Sequence, residues 1–187
     1  MDNILKIINY LGKNMGKSFT MHELSKAVKV PYATFHREIK KMSSLVTSET
    51  VGKAKTIEIN LKNPVIKSYL AISSEEEKKG YLKGQPIIRK IASELSNETV
   101  VLFGSYAKHT HNEKSDIDLM VIGSGKRTIY FSEYELLFKK RINPIFITKK
   151  EFQLMLKEKE ENVGKQALKN HIILSNPENF WECVLNA

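Results

Sequence analysis

The sequence predicts an α/β (α+β) chain in two parts: a small N-terminal unit of helices closed by a β-hairpin, and a C-terminal unit with a small mixed sheet flanked by helices. Three observations predict it. Helical periodicity dominates residues 1–43 and gives way to two short runs in which apolar and polar residues alternate. Beyond residue 85, apolar runs at 99–103, 119–122 and 143–147 alternate with helical patterns. The charge is uneven as well: residues 1–63 hold 11 Lys/Arg against 5 Asp/Glu, a surplus of +6 in a chain whose net charge is +9. A basic head and a nearly balanced body follow, divided as 1–62, a helical connector over 63–84, and 85–187.

Composition narrows the class. At 187 residues, 41% apolar and 27% charged, the chain reads as globular. Its one cysteine, Cys183, excludes an internal disulfide and points to a reducing compartment. No apolar run approaches the roughly 18 residues of a membrane span, and Met1-Asp2-Asn3 opens no signal pattern. The expectation is a cytoplasmic protein without a membrane partner.

Asp2 is placed to cap a first helix whose Ile4, Leu5, Ile7, Ile8 and Leu11 share one face, with Gly12 and Gly16 loosening the chain behind it. Thr20-Met21-His22-Glu23 is a capping box for a short second helix with Leu24 and Val28 inward. Pro31 starts a third helix, running to Ser43 with Phe35, Ile39 and Met42 as its buried stripe. Tyr32, Thr34, His36, Arg37, Lys40 and Lys41 lie elsewhere around it. Strands near 45–50 and 55–61 flank a turn at 51–53, and Ile57, Ile59 and Leu61 alternate as a half-buried strand requires. Gly12 to Ser18 imitates a phosphate-binding P-loop, but it has three residues between its glycines rather than four and follows a helix rather than a strand.

In architecture, residues 1–62 resemble the winged helix-turn-helix family. The resemblance implies double-stranded DNA as partner and a homodimer as the working form. Tyr32, Thr34, His36 and Arg37 would then meet base edges, and Lys40, Lys41, Lys53 and Lys55 would meet phosphates. Charge alone fits a solvated basic surface equally well, and such a fold also serves for dimerisation or partner docking.

The connector carries no chemistry. Val65, Ile66, Tyr69, Leu70 and Ile72 predict a short helix, Ser74 to Glu77 a second start, and Pro86 a helix with Ile87, Ile88, Ile91, Ala92 and Leu95 inward.

The apolar strand 99–103 ends at Gly104-Ser105, and ten residues later Asp116-Ile117-Asp118 leads into the apolar run 119–122. Residues two apart on a strand share a face, so both carboxylates project together while Ile117 and Leu119 enter the core. Side-by-side carboxylates repel unless a cation lies between them, and hard oxygen ligands suit Mg2+ or Mn2+. Gly104 lets a backbone approach phosphate closely, and the Ser105 hydroxyl with neighbouring amides can hold its oxygens.

Phe103-Gly104-Ser105-Tyr106-Ala107 and Ser115-Asp116-Ile117-Asp118-Leu119 resemble the signature of the minimal nucleotidyltransferases of the DNA polymerase beta superfamily. The resemblance implies that Asp116 and Asp118 are catalytic metal ligands and that Gly104 and Ser105 grip a nucleoside triphosphate, with ATP expected. A hydroxyl would attack the α-phosphorus and release pyrophosphate. Antitoxin members of this group modify HEPN-type toxins, so the acceptor would be a protein or RNA hydroxyl, such as that of a HEPN-type toxin.

Two features depart from the pattern. Active relatives carry a third carboxylate on the next strand, where this chain has Asn143, which ligates metal weakly and cannot act as a base. Transfer would then be slow, use a base elsewhere such as Glu113, or be absent. Lys108-His109 stands where many relatives have arginine then glycine, and His109 and His111 are expected at a solvated loop rather than on a metal. The remaining expected elements are a helix capped by Ser132 to Glu135, the strand 143–147, a helix capped by Thr148 to Glu151, an apolar piece at 172–174, and a final helix opened by Asn176-Pro177. Trp181 and Cys183 in that last helix read as core or dimer contacts. Two functions compete: a metal-dependent nucleotidyltransferase with a DNA-binding head, or a DNA-binding regulator whose nucleotidyltransferase-like body senses nucleotide without transferring it.

Overall fold

Asp2 caps the first helix, α1 (Asn3–Lys13), through its side chain and the amide of Ile4. The computed structural model describes residues 1–52, 54–95, 98–126 and 129–187, and in it the chain divides into Met1–Glu76 and Glu77–Ala187. In the first unit α1 is followed by β1 (Phe19–Thr20), α2 (Met21–Ala27), α3 (Tyr32–Lys41), β2 (Val46–Val51) and β3 (Ala54–Ile59). Thr20 and Glu23 form the expected capping box of α2, with bonds of 3.2 and 2.8 Å. The Thr20 amide and hydroxyl, donating to the Glu23 carboxylate at 2.8 and 2.9 Å, hold that carboxyl below its ordinary value. Pro31 is the cap of α3 rather than its first residue, and the helix ends two residues earlier than expected because Met42 leaves helical geometry. The apolar stripes of the three helices close on Ile57 of β3, with Ile7, Ile8, Leu24, Phe35 and Ile57 fully buried. The two-residue strand β1 adds to the hairpin in the order β1-β3-β2, all antiparallel. Gly12, in the P-loop imitation, is a buried position inside α1.

The connector is one helix, α4 (Ile66–Leu82), and the division between the two units falls inside it. The second start expected at Ser74 does not occur. The Ser73 and Ser74 hydroxyls donate back to the Leu70 carbonyl at 2.8 and 2.9 Å, a bond that serine makes inside a continuous helix.

The second unit continues with α5 (Pro86–Glu94), β4 (Thr99–Phe103), α6 (Gly104–Ala107), β5 (Ile117–Gly123), α7 (Ser132–Phe138), β6 (Ile142–Thr148), α8 (Lys149–Lys157), α9 (Val163–Lys169), β7 (Ile172–Ser175) and α10 (Pro177–Leu185). The sheet runs β6-β5-β4-β7, with β5 and β6 parallel and the other pairs antiparallel. This is the small mixed sheet flanked by helices that the sequence predicts. All of β4 is buried, which is why it reads as an unbroken apolar run. Pro144 sits in β6, an edge strand, where a missing N–H is tolerated.

One face of the sheet buries Ile117, Leu119, Val121 and Ile142 with Ile88, Ile91 and Tyr106. Trp181 and Cys183 are buried, and burial pushes the Cys183 thiol up. Thr148 and Glu151 form the predicted box at α8, whereas Ser132 is the first residue of α7 and caps nothing. Its would-be partner Glu135 instead accepts the Ile142 amide at 2.8 Å, pinning the start of β6. Helix α9, capped by Asn162, has no counterpart in the sequence reading. Among the described residues no helix is long and apolar enough to cross a membrane.

Candidate functional site

Strand pairing assembles the site. Asp118 lies opposite Phe103 in the antiparallel β4–β5 pair and opposite Asn143 in the parallel β5–β6 pair. The end of β4, the acidic start of β5 and the start of β6 therefore form one row. Asp116 and Asp118 are half-buried, whereas Ile117 and Leu119 between and beyond them are fully buried, which is the alternation that their spacing predicts. Asn143 bridges the pair: its Nδ2 donates to Asp116 Oδ2 at 3.1 Å and reaches Asp118 Oδ1 at 3.5 Å. Both carboxylates thus converge on one amide.

Gly104 completes the row, for two separate reasons. Its φ of +68° is the left-handed region, and a Cβ at this position would overlap Asp118 Oδ2 and come within 3.1 Å of Asp118 Cγ. The backbone bend lies directly against the carboxylate. Ser105 follows as the second residue of α6, half-buried, with its carbonyl held by the Thr110 amide at 3.0 Å. A single helical turn carries little dipole, so what this bend offers a ligand is the Ser105 hydroxyl and the close approach that Gly104 permits.

The electrostatics favour a cation. Burial raises the Asp118 carboxyl above its ordinary value, the Asn143 bond draws it down, and the Asp116 charge raises it again. Among the described residues neither aspartate forms an ion pair with a basic side chain, and no group of three His, Cys, Asp or Glu is arranged as a metal cage. Two carboxylates and a carboxamide do fit a hard divalent ion that takes its remaining ligands from water and phosphate, as Mg2+ does. Turning the Asn143 amide over would present Oδ1, a neutral oxygen, to such an ion.

Glu113 is exposed, and its carbonyl accepts a hydrogen bond from the Lys140 ammonium. His109 adopts φ +56°, the left-handed conformation that a glycine would take without strain, and its ring lies 5.2 Å from Tyr81. His111 is not a fully solvated loop residue: it stacks on Tyr106 at 4.0 Å and 9°. Sequence reasoning gave no sign of that pair, because Tyr106 and His111 face each other only across the turn after α6.

In the first unit Tyr32, His36, Arg37, Lys40, Lys41 and Lys55 are exposed, while Thr34 is half-buried. His22 and His36 flank the Tyr32 ring at 6.1 and 6.5 Å. Lys40 and Lys55 line one cleft of about 180 Å3 with Ser43 and Ser48, whereas the Lys41 ammonium is paired with Glu38 at 3.1 Å. Lys53 lies outside the described residues.

An acid pair two apart at a strand start, backed by a glycine bend at the end of the neighbouring strand, defines a phosphoryl-transfer class of site. The nucleotidyltransferase domain family matches residues 86–179, half of the chain, and the chain belongs to that family. Comparison with curated proteins and with solved structures gives no match.

Proposed function

We propose that the protein transfers a nucleoside monophosphate, AMP from ATP, to a protein or RNA hydroxyl, and that its basic N-terminal unit binds duplex DNA. The observation that carries the first half is the convergence of Asp116, Asp118 and Asn143 beside the Gly104 bend. In this reading Asp116, Asp118 and the Asn143 amide oxygen would hold Mg2+ or Mn2+. When bound, the ion neutralises phosphate charge and polarises the α-phosphorus. Gly104 admits the triphosphate to van der Waals contact with the backbone, and the Ser105 hydroxyl donates to a phosphate oxygen. The acceptor oxygen forms a bond to the α-phosphorus as the bond from that phosphorus to the bridging oxygen breaks, and pyrophosphate leaves with the electron pair. Among the described residues no third carboxylate stands with Asp116 and Asp118, so the proton of the acceptor hydroxyl passes to solvent, to a group on the acceptor or to a more distant base such as the exposed Glu113. Transfer is therefore slow. A HEPN-type toxin is the acceptor class that the resemblance to antitoxin nucleotidyltransferases offers, and a reducing cytoplasm suits the lone buried Cys183.

With labelled ATP and Mg2+ or Mn2+, label should pass to a toxin or RNA acceptor and fall at least about 100-fold in an Asp116→Ala, Asp118→Ala protein. Equal labelling by both proteins would refute the reading.

Asn143 also favours a second reading, a DNA-binding regulator that holds nucleotide without transferring it. Both readings keep the winged helix-turn-helix interpretation of residues 1–62, supported by the exposed face of α3 and by the Lys40–Lys55 cleft. Each lysine that neutralises a phosphate contributes about 0.9 to the slope of log affinity against log salt. Replacing Lys40 and Lys55 together by alanine should lower that slope by about 1.8 on any duplex that binds. An unchanged slope, measured by fluorescence anisotropy between low and moderate salt, would remove the cleft from the interface.

A further inference from the structure

The second unit holds an open pocket of about 350 Å3 that is separate from the acid pair. It opens on the other side of β5: Tyr106, in its wall, packs with Ile117 and Ile142, whose side chains leave the sheet opposite to Asp118 and Asn143. Pro86 supplies an apolar wall, and the Tyr106–His111 stack forms another. Around these stand the carboxamides of Gln85 and Asn112, the exposed Glu113, and Lys140, whose ammonium donates to the Glu113 carbonyl and keeps its other protons for a ligand.

Gln85 is the residue that most needs an explanation. It occupies the cap position of α5, yet its side chain makes no capping bond, and glutamine is not a capping residue by preference. Its carboxamide is half-buried in the pocket wall and forms no hydrogen bond with a described residue. Asn112, by contrast, is committed on one side: its Oδ1 accepts the Lys114 amide at 2.9 Å, which leaves Nδ2 to donate. A flat apolar wall edged by one free donor–acceptor pair, a second donor and a cation suits a planar ring with alternating acceptors and donors along its rim. Carboxamides pair bidentately with such rims, as glutamine and asparagine do with adenine.

We propose that this pocket is a nucleobase site, in which Gln85 reads the edge of a base seated against Pro86 and the Tyr106–His111 pair. The choice of ligand class rests on the nucleotide-handling reading above; the pocket itself does not. Three chain segments tie it to the acid pair: Tyr106 follows Ser105, Glu113 precedes Asp116 by three residues, and Lys140 precedes Asn143 by three. Three residues span at most about 10 Å. The base is accordingly that of the donor nucleotide, folded over the end of the sheet, or that of a second nucleotide whose seating moves the 112–116 loop.

Calorimetry on the full chain in EDTA tests the site with adenosine, guanosine, cytidine and uridine as separate probes. At least one nucleoside should bind the parent and the Asp116→Ala, Asp118→Ala protein alike. Gln85→Leu, which keeps the shape and removes the hydrogen bonds, should weaken it roughly tenfold or more. His111→Ala should weaken it too. Absence of binding by all four at millimolar concentration, or binding indifferent to both pocket variants, overturns the proposal. Thermal melting of each variant separates a lost contact from a lost fold, and Gln85→Leu, at a half-buried side chain that bonds no described residue, should melt with the parent. Inorganic tripolyphosphate with Mg2+ should show the reverse pattern, sensitive to the aspartates and not to Gln85. If it ignores the aspartates, the proposed function fails while the pocket stands; if only the nucleosides fail, the pocket falls and the function stands. Saturating ATP that displaces the nucleoside identifies the donor's own base, and ATP that binds beside it identifies a second nucleotide; either result keeps the pocket.

Discussion

Gly104→Ala should nearly abolish metal-dependent nucleotide binding while leaving a folded protein. Two costs coincide at this one atom. A non-glycine residue held at φ +68° is strained by about 1–3 kcal/mol, and the new methyl overlaps Asp118 Oδ2, which has to swing away. The carboxylate is the movable partner, because the bend is fixed by the end of β4 and the turn of α6. Displacing it breaks its contact with Asn143 and separates it from Asp116. We expect a loss of stability of about 1–3 kcal/mol together with a drop in Mg-ATP affinity of at least roughly tenfold. Ser105→Ala, which removes the one hydroxyl proposed to meet a phosphate and adds no atom, should lose less. Thermal melting and titration of the two variants side by side check this. A Gly104→Ala protein that binds Mg-ATP like the parent would mean that the bend and the acid pair do not act together.

Asn143→Asp should raise the rate of transfer. Asn143 stands within 3.5 Å of both aspartates, so a carboxylate of the same shape there loses the two donated bonds but is placed to join the acid pair around a divalent ion. It supplies a third charged ligand and a group able to take the acceptor proton. General-base contributions run from about 100- to 10,000-fold, and about 100-fold is expected in single-turnover labelling with a competent acceptor. The same change places three carboxylates together, so the metal-free protein should melt lower than the parent and recover more on adding Mg2+. A variant stabilised by Mg2+ yet no faster in transfer would favour the nucleotide-sensing reading over the enzyme.

Much of this site is legible from side-chain alternation alone. Asp116 and Asp118 are two apart before an apolar strand, and the strand geometry that puts them together holds whatever the surrounding fold. Gly104 is legible as a bend, but its clash partner is not, since Asp118 reaches it only through the β4–β5 register. Asn143 is legible only through the family resemblance, which expects a third acid on the next strand; the β5–β6 register is what sets it opposite Asp118. The errors have physical causes. Serine in mid-helix and serine at a cap share a sequence signature, which is why α4 was expected to break at Ser74 and why Ser132 was expected to cap α7. A two-residue strand such as β1 has too few residues to show a period. The Tyr106–His111 stack and the uncommitted Gln85 carboxamide are products of tertiary packing, with no local pattern to announce them.

In the proposed function Asp116, Asp118 and the Gly104 bend act as one site for a divalent ion and a triphosphate. Calorimetric titration of ATP, with Mg2+ and with EDTA, into the parent and the Asp116→Ala, Asp118→Ala protein tests it most directly. Binding by the parent should need Mg2+, and the double variant should lose that Mg2+-dependent part. Mg2+-dependent binding of equal affinity in both proteins would contradict it.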